Sequence, residues 1–126
     1  MNRAETAQKY NEQWFQGAPF GDPAADPEYE QLARRFLCGD VLPRDGLTQA
    51  QKALVILSGL TAGNLFPALR RYTRAALSAG ATPVEIKEAI YQCAPYVGLE
   101  RARCALEEVN AAFKEAGVSL PTPPPT

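Results

Sequence analysis

The sequence contains no histidine. That removes the side chain that most often acts as general base near neutral pH and most often ligates metals, so any proton transfer has to use Glu, Asp, Lys, Tyr or Cys. It contains no Cys-x-x-Cys either. Cys38, Cys93 and Cys104 are odd in number and widely spaced, which signals neither a disulfide framework nor a zinc site, and they read as the reduced thiols of a cytoplasmic protein. An excess of either charge is lacking too: 13 basic against 14 acidic residues leave a formal net charge of −1. Such a chain sets up no field that would gather phosphates or anionic lipid, so neither nucleic acid nor a membrane is expected as a partner. Long apolar runs are missing. The greasiest stretch, Ala53–Leu57, continues only through Ser58, Gly59, Leu60 and Thr61, well short of the roughly 20 residues that span a bilayer. The opening MNRAETAQKYNEQW is polar and lacks the apolar core of a signal peptide. No strand alternation and no Asn-Gly hairpin is present.

What the sequence does have is helix punctuation. Thr82 is an N-cap, Pro83 stands where a missing N–H costs nothing, and Glu85 reaches back to complete a capping box. Behind this start Ile86, Ala89, Ile90, Cys93, Ala94 and Val97 recur at spacings of three and four, one apolar stripe along a helix that Pro95 should kink or close. The same grammar places a helix over about Glu5–Phe15, with Tyr10 and Trp14 one turn apart and Gly17 as its stop. Its apolar face is narrow, so it should dock onto the body of the domain or onto a neighbouring subunit. Gly17–Ala25 reads as a loop. Asp26-Pro27 opens a second helix with Tyr29, Leu32, Ala33, Phe36 and Leu37 as its apolar face and Gly39 as its end, and DVLPRDG (40–46) reads as a turn. Thr48 and Gln51 form another capping box, and the helix that follows, to about Ala62, carries ALVIL. It is apolar nearly all round and should be the most buried element.

A fourth helix, about Phe66 to Ala79, should bury Leu69, Tyr72, Ala76 and Leu65 while Arg70, Arg71 and Arg74 face outward or toward a partner. Gly80 serves as its left-handed cap. A last helix should bury Leu99, Ala102, Leu106, Val109, Phe113 and Ala116, with Gly117 closing it. At 126 residues the chain suits one domain over residues 1–120, followed by a proline-rich tail, 121–126, that cannot pack as a helix. The expected fold is all-α: a single-domain bundle of about six helices in antiparallel pairs. Ala75, Ala76, Ala79, Ala105, Ala111 and Ala112 permit close helix approach, and the greasy third helix has more apolar surface than one thin layer covers, so a homo-oligomer is expected.

From about Phe36 to Glu115 the order FLCGDVLPRDGLTQAQKALVILSGL, then LRRYTRAALSAGATPVEIKEAIYQCAPYVG, then an alanine-rich final helix resembles the carboxymuconolactone decarboxylase family. The resemblance implies an all-helical fold whose helix pairs are buried between subunits in homotrimers or homohexamers. It also implies one of two activities: decarboxylation of a carboxymuconolactone in aromatic-acid catabolism, or alkyl hydroperoxide reductase D-like thiol peroxidase chemistry. The thiol branch uses a Glu, a Cys-x-x-Cys and a His, and on this chain those places fall on Ala53, Leu65, Ala68 and Tyr72. The decarboxylase branch commonly carries a His where Tyr72 stands.

The candidate site residues are therefore Tyr72 and Cys93 as catalytic groups, and Arg70, Arg71, Arg74 and Tyr96 as binders of a small carboxylated substrate. A phenol both donates and accepts, and a guanidinium grips a carboxylate in bidentate fashion. Decarboxylation leaves an enolate-like carbanion, for which Tyr72 can supply the proton and an arginine the charge, with no metal or organic cofactor required. Each residue also has a plainer reading: Tyr72 as a half-buried packing aromatic, the arginines as a solvated or interfacial face, Cys93 as a core thiol far from any helix N-terminus. The rival functions are a non-catalytic oligomeric binding or scaffold protein that kept the fold, and a thiol-based antioxidant protein using Cys93.

Overall fold

A computed structural model describes residues 1–18 and 25–120; the expected proline-rich tail and most of the first loop lie outside the described residues. The described residues hold six α-helices and no strand: α1 Arg3–Phe15, α2 Pro27–Arg34, α3 Gln49–Ala62, α4 Phe66–Ser78, α5 Pro83–Val97 and α6 Leu99–Glu115. The caps read from sequence are formed. Glu85 N donates to Thr82 Oγ1 at 3.1 Å while Thr82 N donates to Glu85 Oε1 at 2.8 Å, and Thr48 and Gln51 make the same reciprocal pair at the start of α3. At the end of α4, Gly80 adopts φ +102° so that its N–H reaches Leu77 O and the N–H of Ala81 reaches Ala76 O, satisfying two carbonyls that the helix leaves open. Pro95 falls in the last turn of α5, two residues before the helix ends.

The second helix departs from expectation. It does not stop at Gly39; the chain passes from α2 into a π-helical segment, Arg35–Val41, marked by Leu42 N donating to Leu37 O at 2.8 Å. A π-helix turns more slowly than an α-helix, and the slower turn sorts this segment's side chains onto two sides. Cys38 is buried, Asp40 Oδ2 accepts from Arg3 Nη2 on α1 at 2.6 Å, and Phe36 and Val41 point to solvent. Gly39 lies against α1, where an added Cβ would come within 3.3 Å of Arg3 Cγ and 3.6 Å of Ala7 Cβ. Its value here is its small size next to α1, which is why a glycine occurs inside a helical run. Lys52 of α3 then closes the following turn by donating Nζ to the carbonyls of Leu42, at 2.6 Å, and Arg44.

Packing follows from these placements. α1 docks on the body of its own chain, burying Ala7, Asn11, Trp14 and Phe15 against the π-helical segment and α4. α4, α5 and α6 pack with α3 around Leu57, Leu69, Ile86, Ile90, Ala105 and Val109, all fully buried. Two expectations about burial fail. α3 is not the most buried element: only Ala53, Leu57 and Thr61 are covered, and Val55 is 60% exposed, because α3 meets α4 and α5 on one side and leaves the other open. The apolar face of α2 is not in the core either, since none of its residues is buried. Leu65, Leu99 and Ala116 are likewise exposed rather than covered.

Candidate functional site

The site is assembled by α1, the π-helical segment and α4. Tyr72, half-buried on α4, meets Phe15 of α1 edge-on, with ring centroids 5.6 Å apart and planes at 88°. The guanidinium carbon of the neighbouring Arg71 lies 5.3 Å from the centre of the Tyr72 ring. Burial pushes the Tyr72 phenol up from its ordinary 10.0; the positive charge and hydrogen bond of Arg71 oppose this, and the nearby Cys38 and Glu30 add to it. Tyr72 is thus a protonated phenol near neutral pH, held beside a cation that would stabilise its phenolate.

Cys38 is the thiol whose charge would be felt at Tyr72. Burial pushes it up to about 11, with Arg34 pulling the other way, so it is a protonated, poorly nucleophilic thiol. No short window of sequence signals this thiol, because Cys38 in the π-helical segment and Tyr72 on α4 come near each other only through the tertiary fold. Cys93, by contrast, is half-buried on α5, and Cys104 is exposed on α6. Labelling with a soluble thiol reagent at mildly alkaline pH should therefore modify Cys104 first, Cys93 more slowly and Cys38 only on unfolding, as read by mass spectrometry of peptides. Early modification of Cys38 would contradict its burial.

A cavity of ≈ 420 Å³ is lined by Trp14, Phe15, Gln16, Arg71, Arg74 and Ser78, among others; Tyr72 is not in its wall but contacts two residues that are, Phe15 and Arg71. Trp14 is held by donating Nε1 to Gln49 Oε1 at 2.7 Å, and Gln16 Nε2 donates to Ser78 Oγ at 3.3 Å across the rim. The three arginines are divided between tasks. Arg70 ties α4 to α6, with Nε 3.0 Å from Glu108 Oε2 and Nη1 3.4 Å from Glu115 Oε1. Arg74 lines the cavity while pairing with Glu115 at 2.6 Å, and Arg71 connects the cavity wall to Tyr72. Of the residues expected at the site, Arg71 and Arg74 line this cavity, whereas Tyr72, Arg70, Cys93 and Tyr96 do not, and Tyr96 is 88% exposed near the end of α5. The structure thus brings together Arg71, Arg74 and Tyr72, with Arg70 one turn away in the α4–α6 ion pairs. Among the described residues no cluster of His, Cys, Asp and Glu has the makings of a metal site.

An all-helical bundle with a cationic, aromatic-walled cavity is compatible with several families, and sequence comparison decides among them. The profile of the carboxymuconolactone decarboxylase family matches residues 27–111. This chain belongs to that family. Over 92 residues it is 32% identical to the 4-carboxymuconolactone decarboxylase of Acinetobacter baylyi, an alignment covering 73% of this chain and 69% of that protein. It is also similar to an uncharacterized 15.0 kDa protein of Paracoccus denitrificans, 34% identical over 79 residues, covering 61% of this chain and 59% of that one. The family segment starts at α2 and ends within α6. This family member therefore takes one wall of its cavity, Trp14, Phe15 and Gln16, from a helix that precedes the matched segment. No helix among the described residues is long and apolar enough to cross a membrane.

Proposed function

We propose that this protein is a homo-oligomeric carboxy-lyase that removes CO₂ from a small carboxylated lactone or a related acid, in the cavity between α1, α4 and α6. The observation that carries the reading is Arg71, which lines the cavity and sets its guanidinium carbon 5.3 Å from the centre of the Tyr72 ring; the decarboxylase named above supports the choice of reaction. Arg71 and Arg74 offer charge-assisted hydrogen bonds to the substrate's carboxylate and carbonyl oxygens, and Trp14 and Phe15 pack on its ring. The bond from carbon to carboxylate breaks, CO₂ departs, and the electron pair delocalises onto the neighbouring carbonyl as an enolate. Arg71 stabilises that oxygen; Tyr72, behind Phe15 and Arg71 in the cavity wall, becomes the proton donor to the carbon when its hydroxyl turns past them into the cavity, and the phenolate regains a proton from water. The subunits associate through apolar surface left open on α2 and α3, in keeping with the oligomers that the resemblance implies.

CO₂ release from carboxylated lactones tests the reading directly. Arg71→Gln should lower kcat/KM by on the order of 10²–10³-fold, the usual effect of removing one donor from a developing oxyanion. A second reading, a binding protein without turnover, is favoured by the missing histidine. It predicts that such acids quench Trp14, the one tryptophan of the chain, without any CO₂ appearing.

A further inference from the structure

We propose that α2 pairs antiparallel with α2 of a second copy of this chain about a two-fold axis, and that this pairing is one interface of the assembly. The apolar side chains of this region are in water: Tyr29 is 63% exposed, Leu32 55% and Phe36 62%, although they lie at the three-and-four spacing of a helix face meant for burial. In the π-helical segment that follows, Val41 is exposed too, whereas Asp40 is turned to Arg3. Val41 in turn lines a groove of ≈ 260 Å³ with Leu47 and Val55. Exposed apolar side chains clustered in this way mark an interaction surface.

Charge identifies the occupant. α2 begins with Glu28 and Glu30 and runs into Arg34 and Arg35, so the stripe is flanked by negative charge at one end and positive charge at the other. A second copy of the same helix, turned around, is complementary to it. With Leu32 near the axis, Tyr29 of one copy meets the partner's Phe36, and Glu28 lies beside the partner's Arg35. This is the self-complementary pattern an isologous interface needs.

This inference rests on the homo-oligomer in the reading above, and light scattering after size exclusion separates the two. Wild-type protein should show an even number of subunits, and Leu32→Glu should halve the mass with far-UV circular dichroism unchanged. Arg35→Glu should weaken association, and the double change Glu28→Arg with Arg35→Glu should restore it. In a Cys104→Ser background Leu32→Cys, near the axis, should form an intersubunit disulfide under mild oxidation. A wild-type monomer would remove both readings. An odd subunit number, or an oligomer whose mass ignores Leu32→Glu, would overturn this one alone.

Discussion

Tyr72→Phe should lower kcat for decarboxylation by about 10²-fold, the usual worth of a positioned general acid, with little loss of stability. The ring stays against Phe15 and Arg71, so packing is kept and the proton alone is removed. The pH profile provides a second readout. Because burial outweighs Arg71 and raises the phenol above 10.0, the wild-type rate should hold through mildly alkaline solution and turn down only above that value, where the acid loses its proton. The Phe variant should lack this descending limb. If KM rises while kcat is unchanged, Tyr72 positions Arg71 and is not the proton donor; if neither changes, it is a packing residue.

Trp14→Ala should destabilise the fold by about 3–5 kcal/mol, the range for deleting a large buried aromatic. Trp14 is 1% exposed and is the anchor of α1, whose 13 residues are marginal as a helix on their own. Its removal also strands the Gln49 carbonyl oxygen that accepts from Nε1. A denaturant titration followed by circular dichroism should show a lower midpoint, and ligand binding should fail with it because α1 forms one wall of the cavity. Trp14→Phe should cost less, since most of the buried ring remains. A Trp14→Ala protein with the wild-type midpoint would mean that α1 is not docked as described.

Much of the helix plan was legible because each signal is local. Thr82 with Glu85, Thr48 with Gln51, and Gly80 or Gly117 at helix ends satisfy hydrogen bonds between residues a few positions apart, so their meaning survives in a short window. The π-helical segment was not legible for the complementary reason. Gly39 looks like a stop until one sees α1 packed against it, and only that contact explains why the helix runs on to Val41. Of the candidate site, Arg71, Arg74 and Tyr72 were visible as residue types on one helix; their division of labour depends on Glu108 and Glu115 of α6, which claim Arg70 and share Arg74. Cys93 stands out in sequence because it lies between Tyr91 and Tyr96 beside Pro95, whereas the burial of Cys38 shows only in the tertiary structure.

The sequence by itself determined the all-α class, the helix starts and stops, and the family. These rest on hydrogen bonds and apolar periodicity that a helix carries along its own length. Only the tertiary structure decided which thiol is buried, which arginine faces the cavity, and which apolar faces stay uncovered. Periodicity tells that a stripe such as Tyr29–Leu32–Phe36 seeks burial, but the same stripe results whether its cover comes from the same chain or from another. Which of the two supplies it depends on where the other helices pack, and in this chain they pack on the far side.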